Sequence, residues 1–219
     1  MTMLENLKII RENVEKYKTA EEVTIVCASK TRSAEIINTL PSFSLNVAGE
    51  NKVQELLEKY DSVDKSITWH FIGQLQTNKV KYIIDKVSLI ESVDRKSLVD
   101  EIDKQAKKHG IKMPVLVEIN AGAEESKGGA KLDEVEDMLA YVKSKENLIL
   151  KGLMSVFPIG ADESLYAQIK HTYDTFKDKY ALSVLSMGMS NDYITALKHG
   201  ATEIRLGTAL FGARDYSKR

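Results

Sequence analysis

One lysine of the chain stands where an amine could become reactive. Lys30 directly follows the apolar run from Val23 to Ser29. Desolvation at the end of such a run lowers the pKa of a lysine and makes its amine a usable nucleophile for a carbonyl group. The alternative is an ordinary solvated lysine in a loop. Lys151, near another apolar run, is the second lysine to consider for this chemistry.

A charged residue inside an apolar run is the second chemical feature. Arg205 lies between Ile204 and Leu206, and a buried cation needs a partner or a ligand. Glu203 lies on the same face if the run is a strand, because strand side chains alternate between faces. A ligand held by Arg205 and an internal pair of Arg205 with Glu203 are therefore both open interpretations.

Two turns of small and polar residues are the third feature. Gly207 and Thr208 follow one apolar run, and Gly188 and Ser190 follow the run before it. Turns of this kind bind phosphate through backbone N–H groups, hydroxyls and the start of a helix. Helix capping would explain Ser190 alone. It does not explain two such turns, so a phosphate site is favoured.

The elements that must position these residues alternate along the chain. Eight short β-branched runs predict strands, and amphipathic segments between them predict helices. The predicted strands cover residues 23–29, 45–49, 67–72, 87–92, 114–120, 148–154, 183–187 and 202–206. A helix is predicted before them, because apolar residues recur there at helical spacing. These residues are Leu4, Leu7, Ile10, Val14 and Tyr17.

This order predicts an α/β fold, a single (β/α)8 barrel of the TIM type, with residues 1–219 as one domain and an extra N-terminal helix. The active face of such barrels lies at the carboxyl ends of the strands, where the lysine, the arginine and both turns fall. The competing architecture, a doubly wound open sheet, normally has a glycine-rich turn after its first strand, and that turn is absent here. Helix ends are predicted from N-caps and terminal glycines. The residues are Ser33, Thr77, Ser190, Gly110 and Gly200.

Composition narrows the range of partners. The 31 basic and 32 acidic residues give a net charge of -1, and both signs are spread along the chain. This balance disfavours nucleic acid and anionic membranes as partners. Because no apolar stretch is long enough to span a bilayer and the single cysteine, Cys27, lies in an apolar run, we expect a cytoplasmic location. The four histidines are isolated, so no metal site is expected.

A reactive amine at the end of the first strand and a phosphate site at the ends of the last two strands indicate a binding site for an aldehyde that carries a phosphate. Pyridoxal 5'-phosphate (PLP) is such a molecule. The rival interpretation is an aldolase that forms a Schiff base with sugar phosphates. The motifs of P-loop, nucleophile-elbow and dinucleotide-binding proteins are absent from the sequence.

Several longer blocks of sequence resemble a known family. The blocks are Ala-Ser-Lys-Thr (28–31), Gly-Glu-Asn-Lys-Val-Gln-Glu (49–55), Trp-His-Phe-Ile-Gly-Gln-Leu-Gln-Thr-Asn-Lys (69–79), Glu-Ser-Lys-Gly-Gly (125–129), Gly-Leu-Met (152–154), Ser-Met-Gly-Met-Ser (186–190) and Arg-Leu-Gly-Thr-Ala-Leu-Phe-Gly (205–212). In this order, from Val23 to Tyr216, the chain closely resembles the pyridoxal phosphate homeostasis proteins. That family resembles the barrel domain of alanine racemase without its second domain.

The resemblance implies a role for each matching residue. It implies that Lys30 forms the internal aldimine with PLP and that Arg205 faces the pyridine nitrogen. The phosphate is then expected to be held by Ser190, Gly207 and Thr208, the ring to be lined by Asn51 and Met154, and Lys127 to act in cofactor release. Three positions depart from the family pattern and affect ring packing and loop shape only. They are Ala48, Gln74 and Asn191.

The resemblance also implies a function. Members of the family bind the cofactor and hand it over, and they influence amino-acid and keto-acid pools. We therefore expect a monomeric PLP-binding protein of intracellular PLP homeostasis, with no efficient catalysis of its own and with apo PLP-dependent enzymes as partners. The alternative is a PLP-dependent amino-acid racemase. That architecture needs a second domain to supply an opposing base, for which 219 residues are expected to leave no room.

Overall fold

Eight parallel strands close into a barrel in chain order in the computed structural model, which describes residues 2–122 and 128–213. The strands are β1 Thr24–Ala28, β2 Val47–Glu50, β3 Thr68–Phe71, β4 Leu89–Val93, β5 Met113–Ile119, β6 Leu148–Ser155, β7 Val184–Ser186 and β8 Glu203–Leu206. All eight predicted strands are confirmed, with shifts of one or two residues at most of the ends. The predicted (β/α)8 barrel is confirmed with them.

Helices connect the strands and form the outer layer. Within the described residues they are α1 Met3–Tyr17, α2 Ala34–Ile37, α3 Val53–Tyr60, α4 Val80–Ile83, α5 Lys96–His109, α6 Val135–Lys143, α7 Glu163–Tyr180, α8 Tyr193–Lys198 and α9 Thr208–Phe211. The main apolar core lies between this layer and the outward faces of the strands. No helix of the described chain combines the length and the apolar character needed to cross a bilayer.

The predicted N-terminal helix α1 precedes the barrel. Thr2 and Glu5 form a capping box at its start, and its buried face carries Leu7, Ile10 and Val14. The helix packs against α8 and α9. In addition, the buried Asn6 donates from Nδ2 to the carbonyl oxygen of Leu210 in α9 at 3.0 Å.

Strand alternation decides which side chains enter the barrel. On β8, Ile204 and Leu206 belong to the outer core, so Glu203 and Arg205 lie on the inward face. The inward face is partly apolar elsewhere, for example where Leu89, Leu116 and Met154 pack together. Two charged positions of the last strand therefore lie inside the barrel.

The closing pair of strands brings the first and the last strand of the barrel together. β1 pairs with β8 in parallel, with Val26 opposite Arg205 and Cys27 opposite Leu206. Residues that follow β1 and residues that follow β8 therefore lie side by side at the carboxyl end of the barrel, although they are far apart in the sequence.

Helix ends were predicted with mixed success. Gly110 ends α5 in the left-handed conformation with φ 64°, and Gly200, with φ 81°, lies just past α8, so both are confirmed. Ser33 occupies the N-cap position of α2, as predicted, although its side chain makes no capping hydrogen bond. The caps predicted at two other polar residues are wrong, because Thr77 starts a short 3-10 turn and Asp192 occupies the N-cap position of α8 instead of Ser190.

Candidate functional site

A cavity opens at the carboxyl ends of β1, β7 and β8. Its volume is 360 Å³, within the range of about 300 to 1,000 Å³ typical of small-molecule sites. Five of the residues singled out in the sequence line it together. They are Lys30, Ser190, Arg205, Gly207 and Thr208. We call this space the first cavity.

Lys30 follows β1, and the residues on both sides of it are anchored. Buried Ser29 donates from Oγ to the Gly49 carbonyl at 3.1 Å and to Glu50 Oε1 at 3.0 Å. On the other side, the Thr31 N–H donates to Glu55 Oε2 at 2.9 Å. Thr31 has a φ of 66°, a conformation that β-branched residues avoid, so this carboxylate stabilises an unfavourable backbone turn.

The anchor beneath Lys30 depends on a buried ion pair. Lys59 Nζ lies 2.6 Å from Glu50 Oε1 and also donates to the Ser29 carbonyl at 3.1 Å. Burial raises the pKa of Glu50, and the attraction of Lys59 opposes this shift only in part. The backbone that presents Lys30 is therefore held by a network of three side chains, which come from the residue after β1, from β2 and from α3.

The two polar turns meet at the rim of the first cavity. Ser190 Oγ accepts from the N–H of Gly207 at 3.2 Å and from the N–H of Ala209 at 3.1 Å. Ser190 therefore joins the turn after β7 to the first turn of α9, and not to α8 as the sequence predicted. Gly188 has a φ of 94°, and a Cβ there would lie 2.6 Å from Ala196 Cβ, so only glycine fits this turn.

Arg205 lines the floor of the first cavity and is almost fully buried. Its Nη1 donates to Ser186 Oγ at 2.6 Å and its Nη2 donates to the Ser155 carbonyl at 2.7 Å. Its acidic partner is Glu91, whose Oε2 lies 3.8 Å from Nη1. The internal pair with Glu203, one of the two interpretations from the sequence, is replaced by a pair with Glu91 from β4.

A network of charges extends from Arg205 into the barrel. Glu91 Oε2 accepts from Ser186 Oγ at 2.7 Å, and Glu91 Oε1 lies 2.9 Å from His70 Nδ1. His70 Nδ1 is also 3.6 Å from Glu203 Oε2. Burial acts to raise the pKa of Glu91, but the hydrogen bond with His70 and the charge of Arg205 outweigh it, so the pKa is lowered.

Glu203 is the least satisfied member of this network. Burial and the charge of Glu91 raise its pKa well above the ordinary value, and its Oε1 has no hydrogen-bond partner among the residues that the structure describes. The ligand atoms of His70, Glu91 and Glu203 lie within 4.8 Å of one another, which is the spacing of a possible metal site. Sequence reasoning missed this cluster because its members come from three separate strands.

An aromatic wall closes one side of the first cavity. Phe157 and Tyr166 stack with ring centroids 3.8 Å apart, and the Tyr166 hydroxyl donates to Asp192 Oδ2 at 2.7 Å. Burial and the charge of Asp192 raise the pKa of Tyr166. Neither ring was predicted as a site residue, because Phe157 lies in a loop and Tyr166 fits the apolar spacing of a helix.

The remaining predicted residues lie elsewhere. Asn51 lines a second cavity of 320 Å³ at the same end of the barrel, together with Glu118. Met154 is buried inside the barrel against Leu89 and Leu116, and the first cavity does not include it. Lys127 lies outside the described residues.

The sequence and the fold are similar to known proteins. The family model of the alanine racemase N-terminal domain matches residues 5–215. The pyridoxal phosphate homeostasis protein of Aquifex aeolicus (strain VF5) is 44% identical over 196 residues, which cover 86% of either chain. The solved structure of PipY from Synechococcus elongatus PCC7942 with PLP bound has a TM-score of 0.85 and 27% identity, over 96% of this chain and 100% of that chain.

A longer protein shares the barrel fold at a lower sequence identity. Alanine racemase of Clostridium difficile 630 in complex with cycloserine has a TM-score of 0.76 and 15% identity, over 98% of this chain and 61% of that chain. At this identity the similarity concerns the barrel fold alone.

Proposed function

The chain belongs to the family of pyridoxal phosphate homeostasis proteins, and from this premise we propose that it binds PLP, holds it and hands it to other proteins without efficient catalysis of its own. The observation that supports this most strongly is the composition of the first cavity. One cavity is lined by a lysine amine, a buried guanidinium and a small polar turn, namely Lys30, Arg205 and the residues Ser190, Gly207 and Thr208.

Each of these groups suits one part of PLP. When bound, PLP supplies an aldehyde that condenses reversibly with a primary amine, and Lys30 is the amine that lines the cavity. The N–H groups of Gly207 and Ala209, which converge on Ser190 Oγ, are donors of the kind that bind phosphate at a helix start. Each such hydrogen bond to a charged acceptor contributes roughly 1.5 to 3 kcal/mol.

Arg205 is the residue that favours holding the cofactor over using it. Carbanion chemistry on PLP relies on the ring as an electron sink, and the sink is strongest when a carboxylate keeps the ring nitrogen protonated. Arginine is a permanent cation with donors only. We infer that Arg205 donates a hydrogen bond to the ring nitrogen and keeps it unprotonated, so the electron sink is weak.

The alternative function is a PLP-dependent amino-acid racemase, which needs two bases acting on opposite faces of one substrate. In the described part of the first cavity, Tyr166 and Asp192 are the further groups that could carry a proton. Their mutual hydrogen bond engages both, and the raised pKa of Tyr166 makes its phenolate scarce at neutral pH. This chemistry favours the carrier over the racemase.

Covalent trapping with borohydride tests the proposal. The purified protein mixed with PLP should absorb visible light, and reduction should fix a pyridoxyl group on Lys30. Lys30→Ala should lose the adduct, whereas the matched variant Lys151→Ala should keep it, because Lys151 does not line the first cavity. An adduct found by mass spectrometry on Lys151 or Lys127, and never on Lys30, would contradict the assignment.

We further propose that residues 1–219 form one domain that acts as a monomer in the cytoplasm and that apo PLP-dependent enzymes receive the cofactor. The buried free thiol of Cys27, whose pKa burial raises to about 12, is consistent with a reducing compartment. We expect the secondary role of Lys127 in cofactor release to be independent of the first cavity.

A further inference from the structure

Lys30 lies in a β-turn of a type that its neighbour Thr31 disfavours. The N–H of Arg32 donates to the carbonyl oxygen of Ser29 at 2.9 Å and closes the turn around the two residues between them. Thr31 has a φ of 66°, whereas the φ of Lys30 is not positive, and this combination defines a type II turn. The third residue of such a turn is normally glycine or asparagine, and a β-branched residue is strained there.

Other contacts fix the two ends of this turn. At its start, Ser29 Oγ donates to the Gly49 carbonyl at 3.1 Å. At its end, Arg32 Nη2 donates to the carbonyl of Gly212, directly after α9, at 2.6 Å. Type I and type II turns differ in the orientation of the central peptide, between their second and third residues. With the ends in place, reversal of this central peptide would give a type I turn and remove the strain.

The Glu55 carboxylate favours the observed orientation of the central peptide. Its Oε2 accepts from the Thr31 N–H at 2.9 Å, and Lys59 Nζ lies 3.6 Å from the same oxygen. Partial burial acts to raise the pKa of Glu55, but the Thr31 N–H and the charge of Lys59 outweigh it, so the pKa is lowered. In the reversed peptide, the carbonyl oxygen of Lys30 would replace that N–H and face a negative charge.

Reversal would also change how the Lys30 amine reaches the first cavity. It changes the ψ of Lys30, and the side-chain rotamers that a residue can adopt depend on its backbone dihedrals. A displacement of about 1 Å in a reacting group can cost about a hundredfold in rate. Glu55 is not among the described residues that line the first cavity, so its effect on the amine passes through the backbone.

We propose that Glu55 is a positioning residue for Lys30: by holding the Thr31 N–H, it keeps the turn in the type II form that directs the amine to an aldehyde in the first cavity. The inference rests on the proposed function, because it concerns Lys30 as the residue that binds PLP. In that step the Lys30 amine forms a C=N bond with the aldehyde carbon, and the aldehyde oxygen leaves as water with both amine protons.

NMR of the apo-protein measures the orientation of the central peptide without PLP. In a type II turn the Thr31 amide proton lies close to the α-proton of Lys30, whereas in a type I turn it lies close to the Lys30 amide proton, so nuclear Overhauser contacts distinguish the two. The wild type should show the first contact. Glu55→Met, which removes the acceptor and keeps the length of the side chain, should show the second. Glu58→Met, on the exposed face of the same helix, should match the wild type.

Two ligands separate positioning from a general structural role. Glu55→Met should bind PLP about tenfold more weakly than the wild type, because the turn loses a hydrogen bond to a charged group. Pyridoxine 5'-phosphate, which carries an alcohol in place of the aldehyde, should bind both proteins equally, because it forms no bond with Lys30. Thermal melts will confirm that the variants are folded.

Two further variants test the turn itself. Glu55→Gln keeps an acceptor oxygen and should lose less PLP affinity than Glu55→Met. Thr31→Gly, added to Glu55→Met, should recover most of the loss, because glycine adopts a positive φ without strain. The inference is overturned if Glu55→Met keeps the type II contact, if it keeps full affinity for PLP, if it loses affinity for both ligands equally, or if Thr31→Gly recovers nothing.

The outcome is separate from that of the proposed function. A wild-type protein that forms the PLP adduct on Lys30, with an unchanged adduct in Glu55→Met, disproves the positioning role alone. A wild-type protein that forms no adduct disproves the proposed function, and with it the meaning given to the position of Lys30, even where the NMR contacts show that Glu55 sets the turn.

Discussion

At the scale of single residues, the protein combines one reactive group with neighbours that restrain it. Lys30 is presented to the first cavity by anchored residues on both sides. Arg205 approaches the same space with its guanidinium fixed by Ser186 and Ser155. A fixed guanidinium needs little rearrangement to meet a ligand, so its electrostatic effect on that ligand is set in advance.

The weak electron sink leads to a kinetic prediction for Arg205. The holo-protein should exchange its amine with free amino acids but should not labilise their Cα–H bonds. Incubation with L-alanine in deuterated water, followed by NMR, should show Cα exchange much slower than about 1 per second, the lower end of ordinary enzyme turnover. Turnover at or above that rate would restore the racemase interpretation.

Glu118 should make stability fall as the pH rises. Its pKa is about 7 in the folded protein against an ordinary value of 4.5, so the folded state binds the proton more tightly than the unfolded state. The folded state is therefore favoured most below pH 4.5, and this contribution is lost as the pH rises to about 7.

Glutamine does not ionise, so Glu118→Gln should abolish the loss of stability at high pH. Urea unfolding should give the variant the same free energy of unfolding as the wild type at pH 4 and about 3 kcal/mol more at pH 8. A variant that is less stable than the wild type at pH 8 would show that the Glu118 carboxylate has a stabilising partner. Glu12→Gln serves as the control, because its exposed carboxyl should change neither value.

At the scale of elements, a helix outside the barrel supports the turn that we propose to bind phosphate, at Gly207 and Thr208. α9 begins at Thr208, directly after Gly207, and α1 packs against it. The contact includes the buried hydrogen bond from Asn6 to the Leu210 carbonyl. A helix outside the eight βα units therefore supports the turn on which the proposed phosphate site depends.

Asn6→Ala should weaken this support. Loss of the hydrogen bond leaves a buried carbonyl unpaired and should reduce the free energy of unfolding by about 1 to 2 kcal/mol. PLP affinity, measured from its visible absorption, should fall with it, because the first turn of α9 loses its contact. Glu12→Ala on the same helix should change neither value, and unchanged PLP affinity in a destabilised Asn6→Ala protein would contradict the link between α1 and the turn.

The elements were easier to predict from the sequence than the contacts between them. Strand runs and helix periodicity depend on local residue order, so all eight strands and α1 could be identified. Ser190 was assigned to the wrong helix because its partners, the N–H groups of Gly207 and Ala209, belong to a distant turn. Glu91 could not be found for the same reason, since the run that contains it reads as an ordinary strand until the barrel brings Arg205 beside it.

At the scale of the whole molecule, the first cavity lies across the line where the barrel closes. Lys30 follows β1, and Arg205 belongs to β8, its neighbour in the closed sheet. A ligand that contacts both therefore joins the first strand to the last. Because such a ligand contacts side chains from both strands, we expect its stabilising effect to be largest at this line of closure.

Hydrogen exchange should show this effect. Saturating PLP should slow amide exchange in β1 and β8 more than in β3 and β4, as measured by mass spectrometry of peptic peptides. At 100 times its dissociation constant, a ligand that binds only the folded state stabilises it by about 2.7 kcal/mol. Lys30→Ala should lose most of the added protection, and protection that is equal in all strands would contradict the view that the cofactor joins β1 to β8.

The pairing of β1 with β8 also has a consequence for the order in which the protein is made. During translation, Lys30 leaves the ribosome well before the segment from Arg205 to Thr208. The cavity forms only after these two parts of the chain have come together in the folded barrel. A nascent chain therefore presents an amine without the guanidinium and the phosphate-type turn. We expect cofactor uptake to wait for the finished barrel, so that growing chains leave the cell's free PLP untouched.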